Sequence, residues 1–267
     1  MPDLDKKVEE AREILMYARD EHEVKHWRLL FSGGNDSAVS THLARRVLGP
    51  EASVVHIDTG TGFPCVRKHV LSTAKKFAWR LRIIGPGDHT GQRFSEWVKE
   101  NGMPGPTGHS YVYVHLKQRA IEQIQREAKD GWHDRVAFVT GVYLAESNRR
   151  AQIHTGITDT KGCRVMVNPC LNWKPMHFHK YRKRHSIEQN PVTEVLGKSG
   201  ECLCGAFAKK GELARIAIVN EDVAERLKEI EAEAKGPWGY EDAGPPKTWQ
   251  LEKHGQQRLH LCTDCKA

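Results

Sequence analysis

The 267-residue sequence predicts an α/β protein with a doubly wound parallel sheet. Short apolar runs rich in β-branched residues alternate with stretches of helical periodicity, which is typical of a parallel sheet with helices on both faces. A Gly-Gly turn joins the first run to a helical stretch, and such sheets bind ligands at junctions of this kind. The predicted strands are Trp27–Phe31, Ser53–Ile57, Leu81–Ile84 and Arg135–Thr140, and the clearest predicted helices are Pro64–Ala78 and His115–Lys129.

The junction after the first strand has the composition of a phosphate-binding loop. It reads Ser32-Gly33-Gly34-Asn35-Asp36-Ser37. Paired glycines let backbone N–H groups converge on an anion, the following helix N-terminus adds partial positive charge, and the two serine hydroxyls can donate hydrogen bonds. The loop lacks the Gly-Lys-Ser/Thr ending of a Walker A motif. We therefore predict phosphate binding of a different kind, against the alternative of an ordinary Gly-Gly turn.

Three further blocks follow the loop in order. They are Val54–Gly60 with its Asp58-Thr59-Gly60 turn, Gly141–Ser147 with Arg149 and Arg150 behind it, and Asn168–Trp173. Together with the loop they resemble the ATP pyrophosphatases, and within them the phosphoadenosine phosphosulfate (PAPS) reductase family. The resemblance implies the adenine nucleotide alpha-hydrolase type of sheet, with a nucleotide held by the loop, by the Asp58 turn and by Gly141. Tyr143 stands where the family has an arginine, which puts one anion contact in question.

Two closely spaced cysteine pairs form a second candidate site. Cys202 and Cys204 are separated by one residue, and Cys262 and Cys265 by two. Four thiolates brought together suit either structural zinc or an iron-sulfur cluster, and free redox thiols are a third interpretation. The resemblance favours a four-iron four-sulfur cluster, because adenylyl sulfate (APS) reductases of this family hold one between two such pairs. In that family the first pair is adjacent, which it is not here. Cys65 is interpreted as a buried apolar residue. Cys163 and Cys170 are interpreted in the same way, with a redox or ligand role as the alternative.

Two enzymatic reactions compete as interpretations. In the first, the loop holds the β- and γ-phosphates of Mg²⁺-bound ATP, an acceptor oxygen attacks the α-phosphorus, and sulfur then displaces AMP. Asp36 is the predicted Mg²⁺ contact, and Arg149 and Arg150 are the predicted clamps on phosphate or sulfate oxygens. In the second, a cysteine thiolate attacks the sulfate sulfur of APS or PAPS, and a thiol then releases sulfite. The intact loop favours ATP, and no Glu-Cys-Gly-x-His segment, the source of the family reductases' nucleophile, is present in the sequence. A non-catalytic nucleotide-binding module is the remaining alternative.

The acceptor is predicted from the segment Trp173–His185, in which lysines and arginines alternate with aromatic rings. This pattern suits a nucleic-acid strand, although an amphipathic helix with a solvated basic face gives the same pattern. Trp173, Lys174 and Lys117 are the predicted substrate contacts, and Lys117 resembles a lysine of the family. The expected partners are therefore an adenine nucleotide, a nucleic-acid acceptor, and a sulfur donor or thiol reductant.

Composition limits the remaining choices. The net charge of +7 permits a nucleic-acid partner without requiring one. No apolar run approaches the roughly eighteen residues of a membrane helix and no signal peptide is evident, so we expect a cytoplasmic protein without membrane contact. The seven cysteines are then expected to be thiols or metal ligands.

The sequence divides into three expected segments. These are an N-terminal helix (1–26), a nucleotide-binding domain (27–200), and a small C-terminal extension with a helix and the cysteine cluster (201–267). Within them, the Gly- and Pro-rich stretch Gly85–Tyr113 is predicted to be an irregular loop, and Lys209–Lys235 is predicted to be one helix.

Overall fold

The computed structural model describes residues 2–89, 92–106, 108–146, 156–160, 163–234 and 239–240. These residues fall into two compact units, each assembled from separated stretches of the chain. The sheet unit takes its residues from Met1–Ile57, His69–Ile84 and Ile121–Gln189. The helical unit takes its residues from Asp58–Lys68, Gly85–Ala120 and Asn190–Ala267. The expected division at residues 26 and 200 stays a prediction.

The sheet unit contains a six-stranded sheet. Its strands are β1 Val24–Leu30, β2 Ser53–Ile57, β3 Leu81–Ile84, β4 Arg135–Val139, β5 Ile157–Thr160 and β6 Arg164–Val167. Their order is β3-β2-β1-β4-β6-β5, and five strands are parallel, which confirms the predicted α/β class. β5 pairs antiparallel with β6 at the edge. Neither β5 nor β6 was among the predicted strands.

Eleven α-helices are described, and two tighter or wider turns accompany them. A π-helical turn, Val114–Gln118, joins α6 to α7, and a 3₁₀ turn, Leu144–Glu146, follows β4. No helix among the described residues combines the length and the apolar character that crossing a bilayer requires. The helices are α1 Pro2–Glu21, α2 Asn35–Leu48, α3 Pro64–Lys76, α4 Pro86–His89, α5 Phe94–Asn101, α6 His109–Tyr113, α7 Arg119–Ala128, α8 Pro175–Arg184, α9 Thr193–Leu196, α10 Glu212–Val219 and α11 Glu221–Ala232.

The N-terminal helix α1 packs on the sheet unit through one face. Leu4, Ala11, Leu15 and Ala18 recur at helical spacing, and all four side chains are buried in the same apolar cluster as Leu29 of β1. Burying apolar side chains contributes about 1.5 to 3 kcal/mol for each large one, which is enough to hold a helix whose other faces are charged. The predicted amphipathic helix is therefore part of the core of this unit.

The helical unit corrects two predictions. The stretch Gly85–Tyr113 contains the helices α4, α5 and α6, so the predicted irregular loop is wrong. Its apolar residues drive this: Phe94, Val98 and Val112 are buried in the core of the unit. The predicted single helix over Lys209–Lys235 is two helices, α10 and α11. Asn220 separates them, and its side chain caps α11 by accepting a hydrogen bond from the Val223 amide (2.9 Å).

A buried histidine makes the sheet unit sensitive to acid. Burial lowers the pKa of His42 to about 4, and the charges of His185 and Arg46 act in the same direction. The histidine pKa in an unfolded chain is about 6.5. The folded state therefore binds fewer protons between these values, and its stability is complete above pH 6.5 and falls as the pH drops towards 4.

We expect His42→Gln to remove about 1 to 2 kcal/mol of the stability lost between pH 7.5 and pH 5, after allowance for solvent screening. Urea unfolding at both pH values measures this difference, with the exposed His133→Gln as the matched control. Equal pH dependence in both variants and the wild-type chain would contradict it.

Candidate functional site

The predicted phosphate loop lies between β1 and α2, at the carboxyl end of the central strand. Gly33 adopts a positive φ of 78°, which favours glycine, and the helix begins directly after Gly34. No side chain caps the N-terminus of α2. Its first backbone N–H groups and its dipole are the features that suit an anion at this position.

The two serines of the loop are linked. Ser32 Oγ lies 3.1 Å from Ser37 Oγ, and the Ser37 hydroxyl also reaches the Gly34 carbonyl oxygen at 2.9 Å. The Gly34 amide donates to Ser32 Oγ (3.4 Å). These contacts hold the loop against the start of α2, so that the two hydroxyls and the Gly34 amide are part of one hydrogen-bond network. The structure thus brings Ser32, Gly34 and Ser37 together as predicted from their order in the sequence.

Gly141 follows β4, the strand next to β1, and lies against the start of α2. A Cβ on Gly141 would lie 2.6 Å from the Ser37 amide nitrogen and 2.9 Å from the Asp36 carbonyl carbon, which is closer than real Cβ atoms approach. The preceding residue adds a direct link, since Ser40 Oγ donates to the Thr140 carbonyl oxygen (2.7 Å). Only glycine fits this contact, so the β4 end fixes the position of the loop.

Asp36 lies in the electrostatic field of two residues that are distant in sequence. Burial raises the pKa of the Cys170 thiol, and the negative charge of Asp36 raises it further. Burial lowers the pKa of Arg182, and the charge of Asp36 opposes this by favouring the charged guanidinium. The Arg182 side chain also donates to Gln189 Oε1 (3.2 Å). In the sequence, Arg182 stood out only as part of a basic segment, and its electrostatic interaction with Asp36 was not predicted. The predicted arginine clamp, Arg149 and Arg150, lies outside the described residues.

The turn after β2 belongs to the helical unit and is held by Glu201. The Thr59 amide donates to Glu201 Oε1 (3.0 Å), and Thr59 Oγ1 donates to the Glu201 carbonyl oxygen (2.8 Å). The Leu203 amide donates to Thr61 Oγ1 (2.9 Å). Asp58 closes its own turn by accepting from the Gly60 amide (2.9 Å). Both polar groups of Thr59 are thus engaged by Glu201, and the nucleotide contacts of Asp58, Thr59 and Gly60 stay predictions.

Lys117 completes this network. Its ammonium group donates to Glu201 Oε2 at 3.1 Å, and the Glu201 side chain is 4% exposed. Burial opposes the lysine charge, but the charges of Glu201 and Cys202 outweigh burial and raise the pKa of Lys117. The predicted substrate contact is therefore an internal ion pair beside the first cysteine pair. Glu201 was missed, although a carboxylate directly before a Cys-x-Cys pair was visible in the sequence.

Cys202 and Cys204 are separated by one residue in sequence, and their side chains are hydrogen-bonded to each other. A hydrogen bond from the Cys204 thiol lowers the pKa of Cys202, and the Lys117 charge also lowers it, against burial. The same hydrogen bond, followed by burial, raises the pKa of Cys204. These contacts favour Cys202 over Cys204 as the thiolate of the pair, and thiolates are the form that metals and electrophiles bind. Cys262 and Cys265 lie outside the described residues.

The remaining described cysteines carry free thiols. Cys65 and Cys170 are buried, as expected for small apolar residues, and Cys163 is half-buried. A separate group of ligand-type side chains consists of His26, Asp130 and Asp134. There the Asp134 carboxylate already accepts from Lys25 Nζ (2.7 Å) and from the Gly131 amide (2.7 Å), so its hydrogen bonds are satisfied within the protein.

The segment predicted to contact nucleic acid has its rings turned inward. Trp173, Phe178 and Tyr181 are each 2% exposed and lie in the core of the sheet unit. Trp173 Nε1 donates to the Lys7 carbonyl oxygen of α1 (3.2 Å). The expectation that Trp173 and its neighbouring rings stack on bases is therefore wrong, because these rings lie in the core of the sheet unit, where Tyr181 Oη also lies 3.1 Å from His42 Nδ1 of α2. Lys174, at the start of α8, is exposed and stays a predicted contact.

The sheet order, the loop after the central strand and the glycine pressed against it define an α/β protein of the adenine nucleotide alpha-hydrolase fold. Residues 26–195 match the phosphoadenosine phosphosulfate reductase domain, and the chain belongs to that family. The match covers β1 to α9, and therefore includes both the loop and Lys117. The cysteine pairs lie beyond it.

Three known proteins illustrate the likeness. The chain is 27% identical over 190 residues to an uncharacterised protein of Methanocaldococcus jannaschii, which covers 70% of this chain and only 37% of that protein's length. It is 26% identical over 178 residues to the phosphoadenosine 5'-phosphosulfate reductase of Xylella fastidiosa, covering 65% and 70% of the two chains. The PAPS reductase of Candida auris, solved as a phosphate complex, superposes with a TM-score of 0.51 at 16% identity, over 69% of this chain and 83% of that one. The last likeness shows the shared fold.

Proposed function

We propose that this chain binds ATP through the Ser32–Ser37 loop and cleaves it at the α-phosphorus to activate an acceptor for sulfur transfer. The observation that carries the proposal is the intact loop at the β1–α2 junction, with its two serines linked at 3.1 Å and Gly141 seated against it. A loop with two hydroxyls and several converging N–H groups suits a pyrophosphate group better than a single sulfate. Membership of the family supports an enzyme that acts on adenine nucleotides.

The residues of the loop act mainly by holding the nucleotide. The amides and hydroxyls grip the β- and γ-phosphates, and Asp36 at the first turn of α2 provides an oxygen ligand for Mg²⁺. The acceptor oxygen then attacks the α-phosphorus, the α–β bridging bond breaks, and pyrophosphate leaves. In the second step a sulfur nucleophile attacks the activated carbon of the acceptor and AMP leaves. Arg149 and Arg150 are assigned to the charge that builds up on the phosphate oxygens.

The cysteine pairs are assigned to a metal centre in this scheme. Cys202 and Cys204 supply soft thiol donors, and the contacts of Cys202 favour its thiolate form. This chemistry fits iron-sulfur and zinc alike. With Cys262 and Cys265 they would hold a four-iron four-sulfur cluster, with zinc as the alternative. The cluster would supply a site that binds sulfur or passes electrons. Glu201 and Lys117 of this chain would hold the first pair in place.

Reduction of a sulfonucleotide is the second candidate. Two observations favour it: a hydrogen bond and a nearby lysine charge lower the pKa of Cys202, and one relative is named a PAPS reductase. In that reaction a thiolate attacks the sulfate sulfur of APS or PAPS, AMP or its 3′-phosphate leaves, and an enzyme thiosulfonate forms. A second thiol then attacks the sulfur of the cysteine, which releases sulfite and forms a disulfide. The two candidates require different nucleotides, so one assay separates them.

The test is an anaerobic assay of freshly purified protein with ATP·Mg²⁺, APS and PAPS in separate reactions. Pyrophosphate, AMP and sulfite are followed, and iron and zinc are measured in the same sample. We expect pyrophosphate from ATP, and we expect Ser37→Ala to lower kcat/KM for ATP about tenfold or more, because it removes a donor at the phosphates. Ser72→Ala, an exposed serine on α3, is the matched control. Thiol-dependent sulfite with ATP inert would establish the second candidate, and tight binding without turnover of any nucleotide would contradict both.

A further inference from the structure

Three aromatic rings of the helical unit form a continuous surface, which we call the ring platform: His109, Tyr113 and Phe207. His109 and Tyr113 lie one turn apart on α6, with ring centroids 6.0 Å apart. Phe207 comes from the segment that follows the first cysteine pair, and its ring lies 4.7 Å from that of His109. The rings are tilted by 37° and 47°, so together they make a stepped apolar surface supported by two separate parts of the chain.

The ring platform is open to solvent. Tyr113 is 40% exposed and Phe207 is 48% exposed, whereas the rings of the predicted nucleic-acid segment are buried. Tyr111, on the same short helix, is also exposed. Exposed aromatic clusters that touch one another are uncommon on soluble proteins and mark binding surfaces. We therefore expect these exposed rings to bind a flat group that stacks on them.

Lysines lie close to the ring platform in the chain. Lys209 and Lys210 follow Phe207 and are exposed. Lys117, four residues after Tyr113, interacts with it electrostatically and donates a hydrogen bond to Glu201. The rings and these positive charges therefore belong to the same segments of the helical unit.

We propose that the ring platform binds an unpaired base of a single-stranded nucleic acid, which is the acceptor in the function proposed above and on which this inference rests. Stacking on aromatic rings with lysines that track the phosphates is how proteins bind single strands without reading sequence. A duplex keeps its bases stacked inside, so it offers no base to the rings. The platform replaces the Trp173–His185 segment as the stacking surface.

The first experiment measures binding without ATP, so that its outcome is independent of turnover. Fluorescence anisotropy of labelled 20-nucleotide single-stranded RNA and DNA, and of the matching duplexes, is followed with the full chain. We expect Phe207→Ser and Tyr113→Ser each to weaken single-strand binding about tenfold, the stacking contribution of one base. Phe207→Trp should restore it. Trp132→Ser removes an exposed ring of the sheet unit and should leave binding unchanged. An equal loss in Trp132→Ser, or unchanged binding in both platform variants, would overturn the proposal.

A second measurement uses the wild-type chain and so does not depend on the folding of variants. An oligonucleotide carrying 5-iodouridine is cross-linked to the protein by light, and the linked peptides are identified by mass spectrometry. We expect cross-links at Tyr113, His109 or Phe207. Cross-links confined to Tyr17 or Trp132, binding of duplex equal to that of single strand, or capture of no oligonucleotide would each contradict the platform. Pyrophosphate release from ATP, measured separately, reports on the proposed function alone.

Discussion

Gly141→Ala is expected to lower ATP turnover about 100-fold. The new Cβ would lie 2.6 Å from the Ser37 amide nitrogen, and the clash is with backbone at the start of α2, which has no rotamer to change. The loop must therefore move by several tenths of an ångström or more, and a displacement of about 1 Å at a reacting group costs on the order of 100-fold in rate. Overpacking of this kind also destabilises the fold by about 1 to 3 kcal/mol.

The matched control is Gly156→Ala in the same unit. Within the described part of the chain, a Cβ at Gly156 meets only Ile14 Cδ1, at an ordinary contact distance of 3.8 Å. Pyrophosphate release and urea unfolding are measured for both variants and for the wild-type chain. Unchanged kcat/KM for ATP in Gly141→Ala, or an equal loss in Gly156→Ala, would show that the loop does not depend on the β4 contact.

The sheet and the loop could be predicted because their signals are local. Three of the four predicted strands overlap the observed ones almost to the residue, since each is a short apolar run bounded by turn residues. The loop is six consecutive residues, so its composition and its place directly after a strand were visible in the sequence. Gly141 was singled out from a resemblance, but the reason for a glycine there, the approach of Ser37, needed coordinates.

The second site could be predicted only in part, because its contacts join distant residues. Glu201 reaches Thr59 across 142 residues of sequence and Lys117 across 84. No periodicity links these positions, so the pairing of a charge with its partner is invisible until the chain is folded. The aromatic segment shows the opposite failure: rings between cations in sequence predict a binding strip, yet at helical spacing Trp173, Phe178 and Tyr181 share the buried face. The ring platform could not be predicted either, because Phe207 is far from His109 and Tyr113 in the sequence.

Glu201→Ala is expected to destabilise the helical unit by about 3 kcal/mol, the lower end of the usual cost of removing one partner from a buried ion pair, because the Lys117 side chain is 30% exposed. Two groups lose their acceptor together: the half-buried Lys117 ammonium, at 3.1 Å, and the buried Thr59 amide, at 3.0 Å. Urea unfolding of the full chain measures the loss. The control is Glu188→Gln, whose ion pair with Lys76 lies on the surface and should contribute less than about 1 kcal/mol.

A double-mutant cycle separates the charge of Glu201 from its hydrogen bonds. Glu201→Gln keeps an oxygen for the Thr59 amide but leaves Lys117 facing a neutral side chain, whereas Lys117→Met leaves the carboxylate without its cation. The free energies of unfolding lost in the two single variants should then add up to more than the loss in the double variant, because the double variant buries no unpaired charge. Hydrogen exchange at the Thr59 and Leu203 amides should rise in Glu201→Ala and stay slow in Glu201→Gln. Additive losses in the cycle would mean that Lys117 and Glu201 do not act as a pair.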